Sequence, residues 1–244
     1  MENTKKIVAL ILGISFIVGT LFIANAYKYK TKKSQTILVT GAAEYDFVSD
    51  LVVWEGSFNR QSFEMKEAYA SLKDDQQKVK NYLTQKEIKP SEITFSAITI
   101  NKDFVSSRDE YGNFTQRFNG YNLSSNVIVE SKEINKVENI SKDIAQLIDQ
   151  GIEINSYAPR YYYTKLKNLK IDLLAKASED ANVRAKTIAK NSNSSLGKLL
   201  KANMGIFQIT GQNSDEDYSY GGTFNTSSKN KTASITVKAE YQIK

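Results

Sequence analysis

Ile7 to Ala24 (IVALILGISFIVGTLFIA) is a run of 18 residues without a charged side chain. A backbone placed in hydrocarbon must satisfy its own hydrogen bonds, so this run can only be a helix. Extended to Ala26 and rising about 1.5 Å per residue, it spans about 30 Å, the thickness of a bilayer core. Two fates fit it. Ala24-Asn25-Ala26 has the A-x-A form of a signal-peptidase site, which predicts secretion after cleavage at Ala26. The length favours an uncleaved anchor, because the apolar region of a signal peptide runs to about 7–15 residues. The expected membrane contact is through residues 7–26, with Tyr27 and Tyr29 at the interface and Lys28–Gln35 as a polar linker. Two Lys precede the segment and four follow it, so the positive-inside rule taken alone would leave the rest of the chain in the cytoplasm.

Those lysines also account for the chain's formal charge of +6. Setting aside the six Lys and one Glu of residues 1–33 leaves 27 basic and 26 acidic residues in 34–244. A body so nearly neutral predicts no nucleic-acid partner, since such binding needs clustered cations that release counterions. The chain has no Cys, which excludes disulfides, thiolate chemistry and cysteine zinc sites. It also has no His, which removes the usual general base and the commonest transition-metal ligand.

Past the linker, periodicities of two and of three to four residues alternate along the chain. Strands are predicted at 37–43 and 50–58, with turn chemistry between them. A helix is predicted over 63–87, its stripe of Met65, Ala68, Tyr69, Leu72, Val79, Tyr82 and Leu83 broken at Asp75-Gln76 and its end set by Lys89-Pro90. Strands at 93–104 and 120–131 flank a polar hairpin loop, Ser106–Thr115. A second helix is predicted at 136–150, with Asn135 and Glu138 at capping-box spacing and Gly151 as its stop. A strand at 152–164 leads into a third helix at 165–191. There Ala177, Ala181, Ala185 and Ala189, each four residues apart, form a ridge of small side chains suited to close packing. A strand at 196–209, a polar loop at 210–230 and a strand at 232–243 complete the pattern. Hairpins outnumber crossovers, so the expected fold class is α+β. It would be two-layered and largely antiparallel, with three main helices, in one body or two small lobes, plus the N-terminal transmembrane helix.

Five landmarks in this order resemble the SIMPL-domain family, of which YggE-like bacterial envelope proteins are the familiar members. They are Ile37–Trp54 (ILVTGAAEYDFVSDLVVW) with its V-x-G-x-A motif and later Asp50; Ile93–Phe95 with Gly120-Tyr121 and Val127–Val129; Ile148-Asp149-Gln150-Gly151; Asp180-Ala181 with Arg184-Ala185; and Leu196-Gly197. The loops at 106–116 and 211–230 depart from the family pattern. The resemblance implies export, which would place 34–244 outside the cytoplasm, in the periplasm of a cell envelope. It also implies self-association into ring- or channel-like assemblies, and a link to envelope and oxidative-stress physiology. It carries over no catalytic residue.

Candidate chemistry in the residues themselves is sparse. Ser195-Leu196-Gly197-Lys198 has S-x-x-K spacing but lacks the S-D-N and K-T-G partners of an acyl-enzyme site. Asp215-Glu216-Asp217 offers oxygen ligands to a hard cation without the spacing of a calcium loop. Glu64, Glu67, Asp74 and Asp75 could supply an acid–base pair, though on an amphipathic helix they read as the wet face. Tyr161 and Tyr163 should share one face of a strand and Tyr162 the other. With Tyr218 and Tyr220 they are candidates for stacking, burial or a subunit contact, and Trp54 for the core. The expectation is therefore a membrane anchor and basic linker at 1–33 and a SIMPL-like domain at 34–244. No catalytic, cofactor-binding or metal residues and no cofactor are assigned. The chain would act as a homo-oligomer or partner-binding protein rather than an enzyme. The alternatives are a carboxylate-based hydrolase of envelope glycans, for which a close acid pair in a deep cleft is the discriminating feature, and a component of a ring-shaped pore.

Overall fold

The computed structural model describes residues 2–32, 35–108, 112 and 114–244. Its elements, in chain order, are α1 (Glu2–Lys32), β1 (Thr36–Val48), β2 (Leu51–Ser62), α2 (Met65–Gln85), β3 (Ile93–Phe95), β4 (Thr99–Arg108), β5 (Phe114–Ser131) and α3 (Ile134–Asp143), followed by β6 (Ile154–Ser156), β7 (Arg160–Tyr162), α4 (Leu166–Asn191), β8 (Leu196–Met204), β9 (Gln208–Gly211) and β10 (Asn230–Ile243). The expected α+β class is what forms, with two antiparallel sheets among the described residues. Within α1, Lys6–Lys28 is long and apolar enough to cross a bilayer, and its described side chains are exposed.

The chain changes sheet at Ser49-Asp50. β1 belongs to the first sheet, ordered β1-β10-β8 with β9 also on β10. β2 belongs to the second, ordered β3-β5-β2-β6, with β4 on β5 and β7 on β2. β2 alternates buried and half-buried positions, and Val52, Trp54 and Phe58 point inward, as period-two patterning requires. They meet Leu72, Val79 and Leu83 of α2, Leu123, Val127 and Val129 of β5, and Val137 and Ile140 of α3. Each of these large side chains contributes about 1.5–3 kcal/mol by leaving water. The first sheet has one helix, α4, across it. Leu173 and Ala177 pack on Ile209, Ile235 and Val237, while Ala181 and Ala185 pack on Val39, Ala239 and Tyr241.

Several expectations change in detail. α2 runs unbroken through Asp75, which is 1% exposed and takes its place in the buried stripe because Arg60 of β2 neutralises it. The Asn135–Glu138 capping box does not form: α3 begins at Ile134 behind Glu133, with no side-chain cap. The polar Ser106–Thr115 segment is strand at both its ends, since β4 and β5 stay paired out to Arg108↔Phe114. Of its loop, Asp109, Glu110, Tyr111 and Asn113 lie outside the described residues. The 93–104 strand divides into β3 and β4 at Ser96, whose hydroxyl accepts from Asn126 N at 2.9 Å in place of a ladder carbonyl. The 152–164 strand divides around Pro159, which has no amide hydrogen to give. The expected 136–150 helix divides into α3 and a tighter 3-10 segment, Ile144–Gln150, which Gly151 ends, as predicted, at φ 76°.

Candidate functional site

The alanine ridge and the V-x-G-x-A strand meet each other. Ala177, Ala181, Ala185 and Ala189 are at most 2% exposed, and β1 lies directly against them. A Cβ on Gly41 would fall 2.2 Å from Ala177 O and 2.3 Å from Ala181 N, so only glycine permits this approach. β1 is an edge strand, and its outward amide at Ala42 donates to Asp180 Oδ2 at 2.9 Å. Arg184, one turn on, donates to the same oxygen at 2.8 Å. The Ala42 amide first, and then Arg184, hold the Asp180 carboxyl below its ordinary value. The Asp-Ala-x-x-Arg-Ala pattern therefore closes an open sheet edge and brings a helix onto it.

A second polar group joins the two sheets. Asp50 accepts from the Thr164 amide and hydroxyl, both at 2.6 Å. Burial alone would raise the Asp50 carboxyl, but the two Thr164 bonds outweigh it and lower it. Beside this clamp, Tyr161 donates to Glu138 at 2.9 Å, and burial together with that carboxylate pushes the phenol up to about 12. Lys229 reaches across to Asn135 Oδ1 at 2.6 Å and Glu138 at 3.4 Å, so the two residues of the expected capping box serve this junction instead. The tyrosine run does not share faces as predicted. Tyr161 packs on the core under β2, whereas Tyr163 lies past the end of β7 and meets Phe47 of the other core, ring centres 4.8 Å apart.

Several of the remaining candidates are held in structural roles. Ser195 lies in the connection before β8 and pairs by its backbone with Lys244, while Lys198 lies on the strand, so no helical turn joins Ser195 to Lys198. Glu216 accepts from Gly211 N at 3.0 Å and from Asn225 Nδ2, which fixes the 212–229 loop. On β10, just after that loop, Lys231 is 2% exposed and donates to Asn225 O at 2.6 Å; burial lowers its amine to about 8. No group of three acidic side chains among the described residues could hold a metal ion. Asp75 is held by Arg60 at 2.5 and 2.8 Å, Asp74 pairs with Lys78 at 2.7 Å, and Glu67 accepts from Ser62 at 3.0 Å. Tyr218 and Tyr220 line an open cavity of about 450 Å³ with Ile206, Gln208 and Thr236. Trp54 is in the core, fully buried, donating to Ser156 at 2.9 Å.

What the sequence reading missed is a projecting ribbon. β2 pairs with β5 only as far as Ser62↔Tyr121, and beyond it β4 and β5 continue alone to Phe114, about 23 Å at the usual rise per residue. A bulge at Asn119-Gly120, with Gly120 at φ 113°, brings Phe118 to within 5.2 Å of Tyr121. Phe104 and Phe63 pack edge-on to Phe118 at 5.8 and 6.3 Å, and Arg108 sits 4.6 Å over Phe114. The buried stripe thus runs out of the core as an aromatic face, with Phe63, Phe104 and Phe114 at 66, 49 and 73% exposure. A two-stranded ribbon in water is marginal by itself, and an exposed aromatic face is the usual mark of a contact surface. The period-two spacing of Phe114, Gln116 and Phe118 was the available signal; the surrounding Ser, Thr and Asn obscured it.

A family model described as SIMPL, protein of unknown function (DUF541), matches residues 37–242. No curated protein matches the chain.

Proposed function

The chain belongs to the SIMPL family, and from that premise we propose that it is a single-pass, membrane-anchored envelope protein. Its domain is exported, and it acts without catalysis, by self-association or by binding a partner through the aromatic face of the β4–β5 ribbon. The observation that carries this reading is that face: Phe104 and Phe114, about half or more exposed, on a ribbon with no third strand among the described residues, and Phe63 beside its base. The burial of Asp75 against Arg60 supports the absence of catalysis, because a carboxylate shut away from solvent cannot reach the proton of a substrate. Export rests on family membership, and anchoring on the length of α1.

The test is the native mass of the full chain in detergent, by sedimentation, with a photo-crosslinking residue at the exposed Gln116, two residues from Phe114 on the ribbon, in intact cells. The wild type should sediment as a multimer or crosslink to a discrete partner, and Phe104→Ser with Phe114→Ser should abolish both. A wild type that is monomeric at every concentration and forms no crosslink would refute the proposal.

A further inference from the structure

The near-neutral charge of residues 34–244 conceals a separation along the chain. From Ala181 to Ser214 there is no Asp or Glu, while Arg184, Lys186, Lys190, Lys198 and Lys201 all fall within that stretch. The fold gathers four of these lysines at one end of the first sheet. The last turns of α4 carry Lys186 and Lys190, and β8, the edge strand that follows, carries Lys198 and Lys201, all four exposed. At this end three strand termini lie side by side: Ile243 N donates to Gln35 O at 2.9 Å, and Ser195 and Lys244 exchange backbone bonds at 2.9 and 2.8 Å. Lys244 adds a further cation. Leu38, Leu199 and Leu200 stand exposed among the lysines at 57, 52 and 47%. Glu240, opposite Lys201 on β10, is the acid nearest to them along the ladder.

The same end is the one joined to α1. Six helical residues, Tyr27–Lys32, follow the apolar segment and add about 9 Å. The chain from Lys32 to Gln35 spans at most about 11 Å, whatever its conformation. Gln35 therefore lies within about 20 Å of the hydrocarbon when α1 spans a bilayer, of which roughly 5–8 Å is headgroup. A surface of lysines and leucines held that close meets headgroups at high effective concentration, and its charge complements anionic ones.

We propose that this end of the domain, with Lys190, Lys198, Lys201, Leu199 and Leu200, is a docking surface for anionic phospholipid headgroups and lays the domain down on the bilayer. The inference rests on α1 acting as an anchor but is independent of which side of the membrane the domain occupies. Lys and Leu interleaved on an exposed edge suit an interface in which ammonium groups meet phosphates and short apolar side chains enter the boundary region.

The absence of cysteine makes a single label straightforward. Full-length chain carrying Leu200→Cys with a fluorophore is reconstituted into nanodiscs that contain a headgroup-level quenching lipid, with or without phosphatidylglycerol. Asp149→Cys, exposed on the other sheet's side, is the reference. Quenching at Leu200→Cys should rise several-fold with phosphatidylglycerol, and the reference should not change. Lys198→Glu with Lys201→Glu should lower the docked fraction at least about tenfold, as should high salt. Equal quenching in neutral and anionic discs, or indifference to charge reversal, overturns the docking while leaving the anchor intact. A Leu200→Cys chain that forms a disulfide with a second copy, with Phe104→Ser and Phe114→Ser also in place, assigns the surface to that copy and overturns it too. A chain that fails to co-purify with the discs removes the anchor, and this inference with it.

Discussion

Replacing Gly41 by alanine adds one methyl group at the tightest point of the fold. Its carbon would lie 2.2 Å from Ala177 O, against the 3.4 Å of an ordinary contact, and 2.3 Å from Ala181 N. Both are backbone atoms of a hydrogen-bonded helix, so no side chain can turn aside, and α4 must retreat by about 1 Å. Overpacking of a core costs about 1–3 kcal/mol, and the rigid neighbour argues for the upper end. The same retreat stretches the 2.9 Å bond from Ala42 N to Asp180. A loss of about 3 kcal/mol corresponds to a fall in Tm of about 6–12 °C for a domain of this size. Thermal unfolding by far-UV circular dichroism measures it. Fluorescence of Trp54, the only Trp, reports the other sheet separately. Gly221→Ala is the control: its added carbon finds only Ser219 Oγ, at 3.9 Å, and should change stability by less than about 0.5 kcal/mol. A Gly41→Ala protein that melts within about 2 °C of wild type would refute the close-packing account of the motif.

Two further perturbations probe the buried charges. Arg60→Ala leaves Asp75 at 1% exposure without its partner and should cost about 3 kcal/mol in urea unfolding, most of it recovered by pairing Arg60→Met with Asp75→Leu; a loss below about 1 kcal/mol would mean that water reaches the carboxylate. For Lys231, burial lowers the amine from 10.5 to about 8, so between those values the unfolded chain holds a proton that the folded chain has shed, and stability rises with pH. Lys231→Met should therefore gain on wild type below pH 8 and lose that advantage as pH climbs to 10.5; a difference in urea midpoint that stays constant over this window would contradict the buried-amine assignment.

The features legible in advance were those carried by local period. The stripe of α4 and its alanines, the alternation of β2 and the stop at Gly151 all follow from spacing within a few residues. The features that were not legible depend on partners far along the chain. Asp75 reads as a break in a stripe until Arg60 is seen beside it. Asn135 and Glu138 read as a local cap, whereas Lys229 and Tyr161 recruit them across the junction. Asp180 stood out as part of a pattern, but its reason, an amide on the open edge of β1, lies 138 residues away. The ribbon read as a loop because its hydrogen bonds, and not its side chains, make it a strand. The basic end stayed hidden because a net charge is a sum over the whole surface.

The passage from β1 to β2 across Ser49-Asp50 sets how the molecule would carry tension. β1 joins α1 at one end and the second sheet at the other, and all 13 of its residues lie in register with β10. Antiparallel backbone bonds stand perpendicular to the strand, so a tug along β1 stresses its rungs together in shear, and none can open like a zipper ahead of the rest. The edge strand is in effect a strap between whatever holds the helix and whatever grips the ribbon.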